Sequence, residues 1–258
     1  MTNLVGITMK KLALTFASAS LISIYANAAT VSIRADEWFP MNGEPGAAKP
    51  GFMIELAERV FGDAGHTVDY KLMPWERALD SVRKGDFDCV VGAYKDDAPD
   101  FVFPEQHWGL DNTAFYVKEG SNWTFNGYDS LLTQKVAVIN GYAYGEEFDQ
   151  LVANNPQVFQ GIGGNDALEK NIKKLKAGRV DVLVESPSVL AAKMKDMGVS
   201  GFKRAGDMGE PSKMYIACSP ARESSKDYVE LVDEGTAKLR ASGELEQIMS
   251  NYGMSDWK

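Results

Sequence analysis

Two distant segments of the chain repeat one local plan, and that repetition constrains the fold more than any other feature. Lys84-Gly85-Asp86-Phe87-Asp88 leads into the apolar run Cys89-Val90-Val91, and Ala177-Gly178-Arg179-Val180-Asp181 leads into Val182-Leu183-Val184. In each, a helical periodicity stops at a glycine, and an apolar-Asp step enters a strand-like run. The pattern predicts two lobes built alike rather than one extended sheet. Asp88 and Asp181 are expected to hydrogen-bond at the strand entrances, not to contact a ligand.

The segments between agree with that plan. Phe52, Met53, Leu56, Ala57, Val60 and Phe61 recur at helical spacing, with Gly62 and Gly65 as the stop. Val68, Tyr70 and Leu72 alternate as in a strand. Trp75, Ala78, Leu79 and Val82 form a second helical stripe closed by Gly85. Val31 to Arg34, Phe87 to Val91, Val136 to Ile139, Val180 to Val184 and Met214 to Cys218 read as strands. After a turn at Gly141, a helix runs through Phe148, Leu151 and Val152. Asp166 and Glu169 have capping-box spacing for a helix bearing Leu168, Ile172 and Leu175. Ser186-Pro187 supplies an N-cap and an N1 proline for the next. Leu231, Leu239, Leu245 and Ile248 mark helix at the C-terminus. Alternating strands and helices predict an α/β architecture with largely parallel sheets.

The N-terminus reads as an export signal over residues 1–28. Met9-Lys10-Lys11 opens a basic region, Leu12 to Ile24 is a short apolar core, and Ala26-Asn27-Ala28 is a cleavage site, so Met9 is the expected start. Removing Lys10 and Lys11 with this leader takes the net charge from −9 to −11. Such a surface argues against nucleic acid or an anionic membrane as partner. Roughly 230 remaining residues exceed the usual single-domain size, which again favours two lobes. The cysteines, Cys89 and Cys218, can pair in an exported protein or lie as buried thiols in their apolar strands.

In open α/β sheets ligands bind beyond the carboxyl ends of the strands, near helix N-termini. Four places qualify: Asp36-Glu37-Trp38-Phe39, Gly92-Ala93-Tyr94, Gly141-Tyr142-Ala143-Tyr144 and Glu185-Ser186. Together they describe an aromatic-lined, acid-bearing cleft between two lobes, suited to a small polar molecule. Trp38 and Trp75 have an alternative role as caps on the core, and Tyr142 and Tyr144 as turn surface. Glu185 ends a buried strand and needs a partner. A ligand ammonium fills that need, and so does a lysine or arginine of the other lobe. His66 and His107 lack metal-ligand spacing, and neither a GxSxG elbow nor a P-loop occurs, so no metal, cofactor or covalent chemistry is expected. In GIGGNDA, Asp166 replaces the third glycine of a dinucleotide loop, which removes that reading.

Taken in order, KPGFMIELAERVF, MPWERALDSVRKGDFDCVVGAYK, KVAVINGYAYGEEF, GRVDVLVESPSV and LRASGELEQIMSNYG resemble the family 3 extracellular solute-binding proteins. These are periplasmic polar amino-acid receptors of ABC importers. The resemblance implies the type II periplasmic-binding-protein fold, two α/β lobes joined by two crossover strands and closing like a hinge. Residues 29–113 and 214–258 would form lobe one and 114–213 lobe two, with crossings at Asn112 to Lys118 and Lys213 to Cys218. It implies a ligand sandwiched by Trp38 or Phe39 and Trp75, and polar ends held by backbone at Gly92 to Tyr94 and at a helix start at Tyr142 to Tyr144. Glu185 would bind an α-ammonium. The partners implied are a small polar ligand and the membrane subunits of an ABC importer, with the receptor itself monomeric. The family's Thr-x-x-Arg segment, whose arginine grips the ligand carboxylate, is absent. Lys95-Asp96-Asp97-Ala98-Pro99-Asp100 stands there, leaving Arg77, then Lys95, as replacements. A sensor without a dedicated importer, or an enzyme of the cyclohexadienyl dehydratase type, are the rival functions.

Overall fold

The computed structural model describes residues 1–2 and 28–258, so the export signal lies almost entirely outside the described residues. The first part of the chain runs β1 (Thr30–Ala35), α1 (Phe52–Asp63), β2 (Thr67–Leu72), α2 (Trp75–Arg83), β3 (Cys89–Ala93) and β4 (Leu110–Asp111). Then come β5 (Ala114–Lys118), β6 (Val136–Ile139), α3 (Glu146–Asn154), β7 (Phe159–Ile162), α4 (Ala167–Lys176), β8 (Val182–Glu185) and α5 (Pro187–Asp196). The chain closes with β9 (Phe202–Asp207), β10 (Ser212–Lys213), β11 (Tyr215–Cys218), α6 (Ser225–Ser242) and α7 (Glu244–Ser250).

These strands form two separate sheets, ordered β11-β3-β1-β2 and β7-β6-β8-β5-β9. The short ribbon β4–β10 joins them, pairing Asp111 with Ser212 and Leu110 with Lys213. The ribbon shares Lys213 with the second segment expected to cross, and both expected segments run on into the sheets as β5 and β11. Each sheet is largely parallel but mixed, with one strand running against the rest, β11 in the first and β5 in the second, and the reason is directional. Parallel strands β1, β3, β6 and β8 end facing the hinge, whereas a strand arriving through the hinge starts there. Hence β5 runs antiparallel to β8, Ala114 opposite Glu185, and β11 antiparallel to β3, Tyr215 opposite Ala93.

The repeated strand entrance is visible in both lobes. Asp88 Oδ2 accepts from the backbone N–H of Ser32 at 2.8 Å, and Asp181 Oδ2 from that of Lys135 at 2.8 Å. Each carboxylate thereby ties its strand to the neighbouring one. Two capping expectations fail. Asp166 is the N-cap of α4 but makes no side-chain cap; it pairs with Lys170 at 2.7 Å, and Glu169 pairs with Lys173. On an exposed turn the i,i+4 lysines compete successfully for both acids. Ser186 is the N-cap of α5, yet its hydroxyl turns to Asp111. Helix α1 runs through Gly62 to Asp63, and the C-terminal helix breaks at Gly243, in the left-handed conformation.

Cys89 and Cys218 face each other in the β3–β11 ladder, Cα atoms 4.0 Å apart, and form a disulfide. The bond closes a loop of 129 residues that contains the whole second sheet. Replacing both cysteines by alanine is expected to lower unfolding stability by ~2–4 kcal/mol, measured by urea denaturation. An unchanged midpoint and slope contradicts the expectation.

Candidate functional site

The ends of four strands converge between the sheets. Asp36 and Trp38 follow β1, Gly92 lies near the end of β3 with Tyr94 just beyond it, Tyr142 to Tyr144 follow β6, and Glu185 and Ser186 lie at the end of β8. With Trp75 at the start of α2, they line one cavity. Tyr142 to Tyr144 precede α3, which starts at Glu146, so their backbone belongs to a turn rather than to a helix start.

Four expected residues lie elsewhere. Glu37 reaches across the cleft to Lys193, at 2.9 Å, and Phe39 leans on Tyr252 with ring centroids 5.8 Å apart. Ala93 is fully buried in β3. Arg77 stands on the exposed face of α2, lining an outer groove. Lys95 is exposed too, its Nζ over the rings of Tyr215 and Phe103. Neither cation reaches the cavity. Conversely, Asn42, Asp97, Asp111 and Thr113 line it without having been singled out.

Four carboxylates and no lysine, arginine or histidine surround the space. Asp36 Oδ2 accepts from Tyr142 Oη at 2.7 Å. Asp97 Oδ1 accepts from Trp75 Nε1 at 3.2 Å and Ala143 N at 3.1 Å, and its Oδ2 from Tyr94 N at 2.6 Å. Asp111 accepts from Ser186 Oγ at 2.5 Å and Tyr94 Oη at 3.0 Å. Glu185 Oε1 accepts from Trp38 Nε1 at 3.1 Å and Ser186 N at 2.8 Å. Its Oε2 is buried with no partner, as is Asn42 Oδ1. Trp38 and Trp75 are therefore both buried and polar-engaged, so core and site roles coincide.

Burial pushes every one of these acids up: Asp36 to about 6, Asp97 to about 7, Asp111 to about 6 and Glu185 to about 8. The hydrogen bonds pull each back down without cancelling the loss of water. Neighbouring acids add repulsion: Asp36 raises Asp97, and both Asp111 and Asp36 raise Glu185.

The lobes are drawn together. Trp38 to Glu185, Tyr142 to Asp36, Ala143 to Asp97 and Lys193 to Glu37 all bridge the two sheets. Closure lays the turn after β6 on the start of α2, where a Cβ on Gly141 would sit 2.9 Å from Glu76 Cβ. With φ at +81°, glycine is required there. Gly92, at φ +84°, similarly lets Trp38 lie against the backbone.

The closed form thus holds protons that an open, hydrated cleft, with carboxyls near the usual ~4, would release. Its raised acids contribute stability below pH ~4 that is lost as pH rises through their folded values toward ~8. Without ligand, the radius of gyration from X-ray scattering is expected to grow between pH ~5 and pH ~8.5 as the cleft opens. A constant radius over that interval contradicts this.

Known proteins place the chain. The model of the bacterial extracellular solute-binding proteins, family 3, matches residues 31–255. Probable amino-acid-binding protein YxeM of Bacillus subtilis (strain 168) is 24% identical over 210 residues, covering 80% of this chain and 76% of the relative. An ancestral arginine-binding protein bound to arginine superposes with a TM-score of 0.71 at 21% identity, over 86% of this chain and 97% of that one. A histidine kinase sensor domain with similarity to periplasmic binding proteins superposes with a TM-score of 0.72 at 18% identity, over 86% and 95%. With nearly its whole length matched, the two sheets, hinge ribbon and interlobe cavity described above are those of a periplasmic-binding-protein-like fold, and the chain belongs to family 3 of the bacterial extracellular solute-binding proteins.

Proposed function

We propose that the chain is a periplasmic receptor that captures a small polar solute, an amino acid or related amine, by hinge closure. It acts as a monomer, without covalent chemistry, and delivers the solute to the membrane subunits of an ABC importer. The observation that carries this reading is Glu185 Oε2, buried at the cavity wall with no partner. A buried carboxylate oxygen left unpaired is costly, and the ammonium group of a bound solute offsets that cost. Closure across the cleft through Trp38 and Tyr142 supports capture between the lobes. The leader at Met9 to Ala28 supports export, and the family's extracellular solute binders support transport over catalysis.

A thermal-shift screen of amino acids, amines and small organic acids is the first test. A true ligand at 100 times its dissociation constant stabilises the protein by about 2.7 kcal/mol. Glu185→Gln is expected to weaken a cationic ligand by ~2–5 kcal/mol, the range for breaking one side of a buried charge pair. Unchanged affinity in that variant removes Glu185 from the site.

A further inference from the structure

An amino acid brings two charges into a cleft, and its carboxylate must meet donors there. The resemblance puts the ligand's polar ends on backbone at Gly92 to Tyr94 and at Tyr142 to Tyr144, where two N–H groups, those of Tyr94 and Ala143, would suit a carboxylate. Both are taken. Tyr94 N and Ala143 N donate to Asp97, at 2.6 and 3.1 Å, and the Trp75 indole donates to the same carboxylate at 3.2 Å. Asp97 lies in the segment where the family's carboxylate-binding arginine is missing. The protein's own carboxylate thus collects donors from both lobes.

What the cavity leaves unused is acceptor. Glu185 Oε2 and Asn42 Oδ1 are buried and unpartnered, on residues only 3% and 1% exposed. Among the described residues, no other residue donates to Asp36 Oδ1. The side-chain donors left in the lining are the Thr113 and Tyr144 hydroxyls, the latter accepting from Ile139 N, and both are neutral groups beside four acids. A ligand carboxylate would enter next to Asp36, Asp97, Asp111 and Glu185 with no cation to meet it. A ligand ammonium or guanidinium would meet free oxygens, and the rings of Trp38, Tyr94, Tyr142 and Tyr144 offer faces that attract positive charge.

We infer that the ligand is an organic cation without a carboxylate, an amine, diamine or guanidine. Its charged end sits at Glu185 Oε2, and Asp97 occupies the place of an amino acid's carboxylate. This rests on the receptor proposal and narrows its ligand class.

Three matched pairs differing only in the carboxylate separate the alternatives: arginine with agmatine, lysine with cadaverine, and histidine with histamine. Each is titrated calorimetrically into the ligand-stripped wild-type protein. At least one amine is expected to bind about 100-fold or more tighter than its parent, since like charges placed together cost several kcal/mol. A parent amino acid that binds as well as its amine, or better, overturns the inference and leaves the receptor standing. If none of the six binds, the inference falls. The wider screen then decides the receptor, which survives if another solute binds and falls if none does. In Asp97→Ala, with both backbone donors freed, the preference is expected to shrink about tenfold. An undiminished preference in a folded variant overturns the role given to Asp97.

Discussion

Four carboxyl groups share one buried space with no basic side chain among them, and the rest of the molecule makes sense around that constraint. Ionised together, Asp36, Asp97, Asp111 and Glu185 repel one another without water to screen them. Closure is therefore tolerable only when protons or a cation neutralise the set. A hinge protein gains from such an arrangement, because the empty closed form is penalised and the occupied one is not. The interlobe bonds of Trp38, Tyr142 and Ala143 all end on these acids. In the proposed receptor, ligand charge and lobe closure thus act on the same atoms.

The fold delivers this convergence through strand direction. β1, β3, β6 and β8 all end at the cleft, so the residue after each apolar run is where the core stops and polar chemistry starts. The chain enters each lobe at the hinge and must run away from it, which sets β5 and β11 antiparallel to their neighbours. The Cys89–Cys218 bond holds β11 to β3 at the far end of the ladder from Gly92 and Tyr94. That anchors one wall of the cleft to the C-terminal part of the chain, while the two-stranded ribbon pairs the two connections between the sheets.

Much of this was legible in residue order. Apolar periodicity located β1, β6, α1 and α2 within a residue or two, and the strand-end rule placed Asp36, Trp38, Gly92, Tyr94 and Glu185 on the cavity. Residues set by loop paths were not. Asp97 and Asn42 reach the site through turns, and Asp111 through the hinge ribbon, where no periodicity announces direction. The resemblance implied a helix start at Tyr142 to Tyr144, whereas α3 begins only at Glu146. Capping signals at Asp166 and Ser186 lost to stronger partners, a nearby lysine in one case and a buried carboxyl group in the other. The disulfide was undecidable from two apolar strands until their pairing was known.

The central claim, that a cation replaces protons on the cleft acids, is tested most directly by calorimetric titration of a bound amine in buffers of differing ionisation enthalpy. Near pH ~6, below the values to which burial lifts Asp97 and Glu185, the account predicts net release of about one proton per ligand and an affinity that rises with pH. Binding with no proton release, or with affinity falling as pH rises, would contradict it.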